Sequence, residues 1–135
     1  MVEIQIVYEG KLRCSATHVD SGAKLMTDAP KDNMGKGESF SPTDLVATAL
    51  GSCLITIMGI AAQRMEIDLS GTRVVVVKEM VTAPVRRIGR LATTIHVPLK
   101  LTAEQRQKLE NAAMTCPVHR SLHPDVQTPV AFNWG

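Results

Sequence analysis

Residues 40–57 read FSPTDLVATALGSCLITI, and this stretch holds the start and the centre of the longest helix that the sequence predicts. Ser41 can accept a hydrogen bond at the N-cap, Pro42 suits the first helical position, and Asp44 stands where a capping box places its acid. The apolar character continues without a break, so the helix is expected to end near Met65.

Residues 45–63 of this helix carry no charge, so the stretch must be weighed as a membrane span. Thr, Ser, Gly and Gln dilute its apolar character and no aromatic belt flanks it, which argues against a span. A helix that is apolar on all faces is instead expected at the centre of a fold, covered on every side. Other subunits should supply part of that cover, because the chain has only 135 residues. We therefore expect a homo-oligomer and no membrane partner.

Around this helix the sequence predicts strands, a second helix and a last strand. Thr102 to Gln105 form a second capping box, and the helix behind it should run to about Cys116, where Pro117 stops it. Alternation of apolar and polar residues, or runs of β-branched residues, predict strands at residues 2–6, 11–16, 24–27, 71–82, 88–98 and 126–134. This order of elements favours an α+β fold with segregated layers.

Length and composition narrow the class of protein. A chain of 135 residues predicts one domain, covering residues 1–135. The net charge of +2 and the 3% content of aromatic residues argue against a nucleic-acid-binding surface. The first residues alternate like a strand and do not resemble a signal peptide. Three cysteines are too few, and an odd number, for a secreted disulfide framework, so we expect a cytoplasmic protein with reduced thiols.

Two cysteines are the candidate reactive groups. Cys53 lies in the middle of the long neutral helix, and Cys116 follows Leu109, Ala112 and Ala113 on the inward stripe of the second helix. Two apolar helices in a small domain usually pack their inward stripes together, which can bring the two thiols within disulfide reach. Either cysteine alone is more simply explained as a small buried hydrophobe.

A reactive thiol needs a group that stabilises its thiolate. Cys53 lies about three turns inside its helix, too far from the N-terminus for the helix dipole to act. The candidate cations are Lys11 and Arg13, which share one face of a predicted strand. Asp44 is a candidate anchor for such a cation. It lies about 900° and roughly 13 Å away from Cys53 along the same helix, so it would serve a thiol on a neighbouring subunit.

Cys116, His119 and His123 offer a rival interpretation as the start of a zinc site. Their spacing is not one of the common zinc patterns, and the chain has no paired C-x-x-C motif. The histidines are more simply explained by local hydrogen bonds. We therefore expect no metal and no other cofactor, and we keep the zinc module as a lesser alternative.

The stretch FSPTDLVATALGSCLITI resembles the central-helix motif of the OsmC/Ohr family, and residues 112–122, AAMTCPVHRSL, resemble the family's second cysteine motif. The resemblance implies an α+β fold in which antiparallel sheets wrap around two central helices in an intertwined homodimer. It also implies that Cys53 is the peroxidatic thiol and Cys116 the resolving thiol of a site at the subunit interface. The family's arginine falls close to Lys11 or Arg13.

The chain differs from the better-characterised peroxidase branch before the helix. That branch has Asn-Pro-Glu-Gln-Leu where this chain has Ser-Pro-Thr-Asp-Leu, so the acidic position falls on Thr43, with Asp44 as the displaced substitute. The leading hypothesis is a cysteine peroxidase that uses an organic hydroperoxide, a dithiol reductant and a second copy of the chain. The alternative is a non-enzymatic small-ligand-binding or stress-response dimer on the same scaffold.

Overall fold

A computed structural model describes all 135 residues, and the chain divides into two compact units, residues 1–46 and residues 47–135. The expected α+β class is confirmed. The chain contains two separate three-stranded sheets, and its helices lie between groups of strands in the sequence. The expectation of a single domain stays a prediction, and the two units are described separately.

The first unit contains a three-stranded antiparallel sheet in the order β1-β2-β3, formed by β1 Ile4–Gly10, β2 Arg13–His18 and β3 Lys24–Asp28. Lys11 and Leu12 were expected in the second strand, but they form the turn between β1 and β2. Both have a left-handed backbone, with φ of 56° and 64°, which removes them from the strand. The hydroxyl of Tyr8 accepts a hydrogen bond from the Leu12 N–H at 3.2 Å and supports this turn.

The helices are α1 Pro42–Arg64, α2 Ala103–Ala113 and α3 Pro117–Ser121. α1 belongs to the first unit up to residue 46 and to the second unit from residue 47 onwards. It ends one residue before the expected Met65. The capping box at Thr102 and Gln105 is confirmed. α2 ends at Ala113, three residues before the expected end at Cys116, and Pro117 starts a new helix instead of only stopping the old one. Proline is favourable there because the first helical N–H has no partner inside the helix.

The second unit also contains a sheet in the order β4-β5-β6, formed by β4 Arg73–Val81, β5 Arg87–Val97 and β6 Val130–Trp134. β4 and β5 form the expected antiparallel hairpin. β6 pairs with β5 in parallel, so this sheet is mixed and not antiparallel throughout. The chain reaches β6 through α2 and α3, and a crossover of this length permits a parallel pairing.

The core of the second unit lies between α1, α2 and the inward face of β5. Its largest fully buried side chains are Leu50, Leu54, Met58, Leu91, Ile95 and Leu109. Gly51 is a point of close approach between α1 and β4, since a Cβ built there would lie 2.8 Å from Cγ2 of Val76. The absence of a side chain at Gly51 therefore lets the helix that carries Cys53 pack tightly against the sheet.

Helix α1 is long and apolar enough, by length and composition, to cross a membrane, with a mean hydropathy of 2.1 over its most apolar window. A single helix of this kind is weak evidence for a span, because the core helix of a soluble protein passes the same test. Only 33% of that window is buried within one chain. The remaining apolar surface of α1 is therefore available to a partner.

Candidate functional site

Cys53 lies about three turns inside α1 and has a free, half-buried thiol. The residues of α1 that are fully buried in the core form a stripe through Leu50, Leu54 and Met58. Cys53 lies at the edge of this stripe, because one residue of an α-helix turns by about 100°. This position gives the thiol contact with the core on one side and partial exposure on the other.

Cys116 is fully buried and stands where α2 has ended and α3 begins. It is the N-cap residue of α3, and its Sγ accepts a hydrogen bond from the His119 N–H at 3.3 Å. Pro117 follows at the first helical position and fixes the turn between the two helices. The thiol is therefore held by the backbone in one place at the edge of the core.

Cys53 and Cys116 are both free thiols, and Cys53 is near enough to affect the pKa of Cys116. Burial raises the pKa of the Cys116 thiol, and the neighbouring Cys53 thiol raises that pKa further. The N–H of His119 acts in the opposite direction, because it favours the thiolate. The net shift is upward, so Cys116 holds its proton while it lies beside Cys53. The two residues singled out by the sequence thus lie in the same unit, and their assignment as a redox pair stays a prediction.

Arg13 forms an ion cluster within the first unit. Its Nη2 contacts the carboxylate of Glu38 and lies 3.6 Å from Oδ2 of Asp28. The hydrogen bond to Glu38 is the largest of the effects that raise the pKa of Arg13, so the guanidinium stays charged. Lys11 instead lies in the exposed turn before β2. Of the two candidate cations, Arg13 is therefore the one with carboxylate partners in the structure.

Asp44 closes the capping box at the start of its own helix. The Ser41 N–H donates to Oδ2 of Asp44 at 2.9 Å, and the Asp44 N–H donates to Oγ of Ser41 at 3.1 Å. Oγ1 of Thr43 lies 3.2 Å from the Ser41 hydroxyl. The capping function expected from the sequence is therefore observed. An additional role of Asp44 toward a neighbouring subunit stays a prediction.

The histidines near Cys116 make local hydrogen bonds. Nε2 of His119 lies 2.9 Å from Oγ1 of Thr128, and Nδ1 of His123 accepts from the Asp125 N–H at 3.0 Å. No group of three or more His, Cys, Asp or Glu side chains is arranged to hold a metal ion. The zinc alternative therefore lacks a ligand set in the folded chain.

The sequence interpretation missed Asp28 and Glu38. Asp28 pairs with Arg13 in the β2–β3 hairpin, but counting outward from the turn at residues 20–22 would pair Arg13 with Ala29, so the turn alone does not give this register. Glu38 gives no signal of this kind either. It lies in the loop of residues 29–40, where no repeating pattern relates it to Arg13.

Comparison with known proteins shows one family. A sequence model of the family described as OsmC-like protein matches residues 35–130. A comparison with curated proteins finds no match. A solved structure of a candidate osmotic stress induced and detoxification response protein from Psychrobacter arcticus 273-4 is 45% identical, with a TM-score of 0.93. The similarity covers 98% of this chain and 96% of that one.

Two more distant structures share the fold. An organic hydroperoxide resistance protein OsmC from Legionella pneumophila is 17% identical with a TM-score of 0.78, over 98% of this chain and 96% of that one. An organic hydroperoxide resistance protein from Elizabethkingia anophelis is 13% identical with a TM-score of 0.79, over 100% of this chain and 96% of that one. At these identities the likeness extends to the fold alone.

Proposed function

The chain belongs to the OsmC-like protein family, and we propose that it is a thiol-dependent peroxidase that reduces organic hydroperoxides through Cys53 and Cys116. Family membership supports a role in the response to stress and peroxides. The more specific proposal is supported by the influence of Cys53 on the neighbouring Cys116, whose pKa it raises.

The reaction begins at Cys53. Its thiolate attacks one oxygen of the hydroperoxide, the O–O bond breaks, and the alkoxide that leaves takes up a proton to become an alcohol. Cys53 is then a sulfenic acid. Cys116 attacks the sulfenic sulfur, an S–S bond forms, and the hydroxyl group leaves as water with the proton of the Cys116 thiol. A dithiol reduces the disulfide and restores both thiols.

The environments of the two cysteines support this division of roles. Within one chain Cys53 is only half-buried, which makes it the more accessible of the two thiols to a peroxide. Cys116 is fully buried with a raised pKa, which disfavours it as the first nucleophile but keeps it ready beside Cys53. A buried resolving thiol also reaches only the sulfur next to it. Disulfide formation is therefore directed to Cys53 and not to a foreign thiol.

Arg13 is the cation in this proposal. A charged guanidinium near Cys53 would stabilise the thiolate and orient the polar end of the peroxide. An anchor role of Asp44 between subunits, in addition to its capping function, is the competing hypothesis that an Asp44→Asn variant tests. The dithiol step calls for a reducing compartment, so we place the protein in the cytoplasm.

We also propose that the working unit is a homodimer. Two thirds of the most apolar window of α1 is not buried within one chain. β1 is the edge strand of its sheet, and its large apolar side chains are more than half exposed: Ile4, Ile6, Val7 and Tyr8. A second copy of the chain would cover these surfaces by the hydrophobic effect.

The alternative, a non-enzymatic small-ligand-binding dimer, is favoured by one feature. The outward face of α1 and residues 66–70 form a groove of about 690 Å³ that Ile55, Ile60 and Leu69 help to line. A groove of this size matches the usual volume of ligand pockets. It involves neither Cys53 nor Cys116, so this alternative predicts ligand binding that survives removal of both thiols.

A hydroperoxide-consumption assay tests the proposal. The purified protein receives cumene hydroperoxide and dithiothreitol, and the peroxide that remains is measured with time. We expect catalytic turnover for the wild type and for Cys14→Ser, loss of turnover for Cys53→Ser, and a single oxidation without efficient recycling for Cys116→Ser. Equal consumption by the wild type and Cys53→Ser would refute the peroxidase and leave the ligand-binding alternative.

A further inference from the structure

Arg13 is held by two carboxylates that belong to different structural elements of the first unit. Asp28 lies directly opposite Arg13 in the β2–β3 pairing, and Glu38 reaches the same guanidinium from the following loop. We propose that Asp28 and Glu38 are the positioning residues of Arg13, with Asp28 as the fixed anchor and Glu38 as an exchangeable second partner. This inference rests on the proposed function, in which Arg13 serves the thiol site.

The burial of Asp28 indicates an anchor. Its side chain is only 2% exposed, while Arg13 is 35% exposed. Oδ2 of Asp28 accepts from the Glu38 N–H at 3.0 Å and lies 3.6 Å from Nη2 of Arg13, whereas Oδ1 is buried without a hydrogen-bond partner. A buried carboxylate with one unpartnered oxygen is unfavourable unless a positive charge compensates it. Arg13 supplies that charge. Moving its guanidinium away from Asp28 would leave the free-energy cost of burying the Asp28 carboxylate uncompensated.

Glu38 is placed by the backbone of its loop. A Cβ at Gly35 would lie 1.7 Å from the Ala29 carbonyl oxygen, and Gly37 has a φ of +64°, so both positions favour glycine. The Gly37 N–H donates to the Ala29 carbonyl at 3.3 Å. The loop therefore brings Glu38 back to Arg13 by a fixed route.

The side chain of Glu38 is 57% exposed, so its ion pair with Arg13 is open to water and salt. Both carboxylates contact Nη2, while an arginine has five N–H donors spread over three nitrogen atoms. An arginine can therefore keep Asp28 as its anchor and direct its other donors to a thiolate or a peroxide. Glu38 can release Nη2 in that process because exposed ion pairs are weak.

A double-mutant cycle tests the proposal in the full-length protein. The rate of Cys53 alkylation by iodoacetamide is measured against pH, with peptide mapping to separate Cys53 from Cys14 and Cys116. We expect Asp28→Asn to slow alkylation at neutral pH by about tenfold, which is roughly a one-unit upward shift of the pH profile. Glu38→Gln should slow it by about two- to threefold, because the exposed pair is weaker.

The cycle then separates positioning from a general structural effect. Asp28→Asn or Glu38→Gln combined with Arg13→Ala should react no more slowly than Arg13→Ala alone, since each carboxylate acts through the arginine. The matched control is Glu79→Gln, which removes an equally exposed acid, 58%, that lies 4.0 Å from Arg90. This control should leave the alkylation profile unchanged.

The outcomes are distinct from those of the peroxidase assay. The inference is overturned if the carboxylate variants slow alkylation equally with and without Arg13, if they have no effect, or if Arg13→Ala itself leaves the profile unchanged. Coupling in the alkylation cycle together with no turnover of cumene hydroperoxide by the wild type would refute the proposed function and uphold the positioning role. If Asp28→Asn does not fold, the double-mutant cycle is carried out with Glu38→Gln alone. The exposed position of Glu38 makes this substitution compatible with folding.

Discussion

Gly51→Ala is expected to weaken the packing that places Cys53. The Cβ of alanine would lie 2.8 Å from Cγ2 of Val76 and 3.2 Å from Cγ1 of Val74. Carbon atoms in good contact are roughly 3.5–4.0 Å apart, so the helix or β4 must move by about 0.7 Å or more. Overpacking of a tight core typically destabilises by about 1–3 kcal/mol. The higher helix propensity of alanine offsets about 1 kcal/mol of this.

Gly59→Ala is the matched control in the same helix. A Cβ at Gly59 meets no atom within 4 Å, so only the gain of about 1 kcal/mol from helix propensity is expected. The two variants share the same propensity gain, and the difference between their free energies of unfolding isolates the overpacking at Gly51. We expect this difference to be about 1–3 kcal/mol, with Gly51→Ala the less stable variant.

The assay has two readouts at one protein concentration, since the stability of a dimer depends on concentration. Urea unfolding gives the difference in stability. The rate of disulfide formation after one equivalent of cumene hydroperoxide reports on the thiol pair, and Gly51→Ala should slow it because disulfides tolerate little displacement. A stability difference below about 0.5 kcal/mol, or an unchanged rate of disulfide formation, would refute the close approach and its link to Cys53.

Three further predictions follow from particular residues and surfaces. The protein should be a dimer at low micromolar concentration by light scattering, because α1 and β1 leave apolar surface uncovered; a monomer would contradict this. Asp44→Asn should lower the free energy of unfolding by less than about 1 kcal/mol and leave Cys53 alkylation unchanged, because Arg13 already has two carboxylates in its own chain. Slowed alkylation that a Cys53→Ser partner subunit restores would instead establish a role between subunits. Thr93→Val should stabilise by about 1 kcal/mol in urea unfolding, since the Thr93 hydroxyl is buried without a partner; a loss of stability would mean that the hydroxyl is bound in the assembled protein.

The parts of the fold that could be predicted from the sequence are those set by local chemistry. The start of α1 depends on the side chains of Ser41 and Asp44 and on the backbone preference of Pro42, all within four residues. The β4–β5 hairpin depends on a run of β-branched residues and a nearby turn. Such signals do not require knowledge of distant contacts.

The parts that were missed depend on tertiary structure. β6 pairs in parallel with β5 because of the position from which the chain enters the sheet after α3. The local sequence of a strand does not indicate whether it will pair in parallel or antiparallel. Pro117 is compatible with both the end of one helix and the start of the next, and only the packing around Cys116 selects the second. The contact of Glu38 with Arg13 depends on a folded loop with close packing at Gly35.

The thiol pair illustrates the same division. The inward stripes of α1 and α2 could be identified from helical periodicity, and they favoured an approach of Cys53 and Cys116. Periodicity could not show that Cys116 lies beyond the end of α2 and is the N-cap residue of α3. Nor could it show that the Cys116 sulfur accepts a hydrogen bond from the His119 N–H. That placement distinguishes the buried thiol from its half-buried partner.

The most direct test of the account is the mapping of the disulfide formed by one equivalent of cumene hydroperoxide. The reduced protein is oxidised, remaining thiols are blocked at low pH, and peptides are identified by mass spectrometry without reduction. The account predicts an intramolecular link between Cys53 and Cys116, with Cys14 blocked as a free thiol. A link from either residue to Cys14, a link between chains, or no disulfide at all would contradict the assignment of Cys53 and Cys116 as the redox pair.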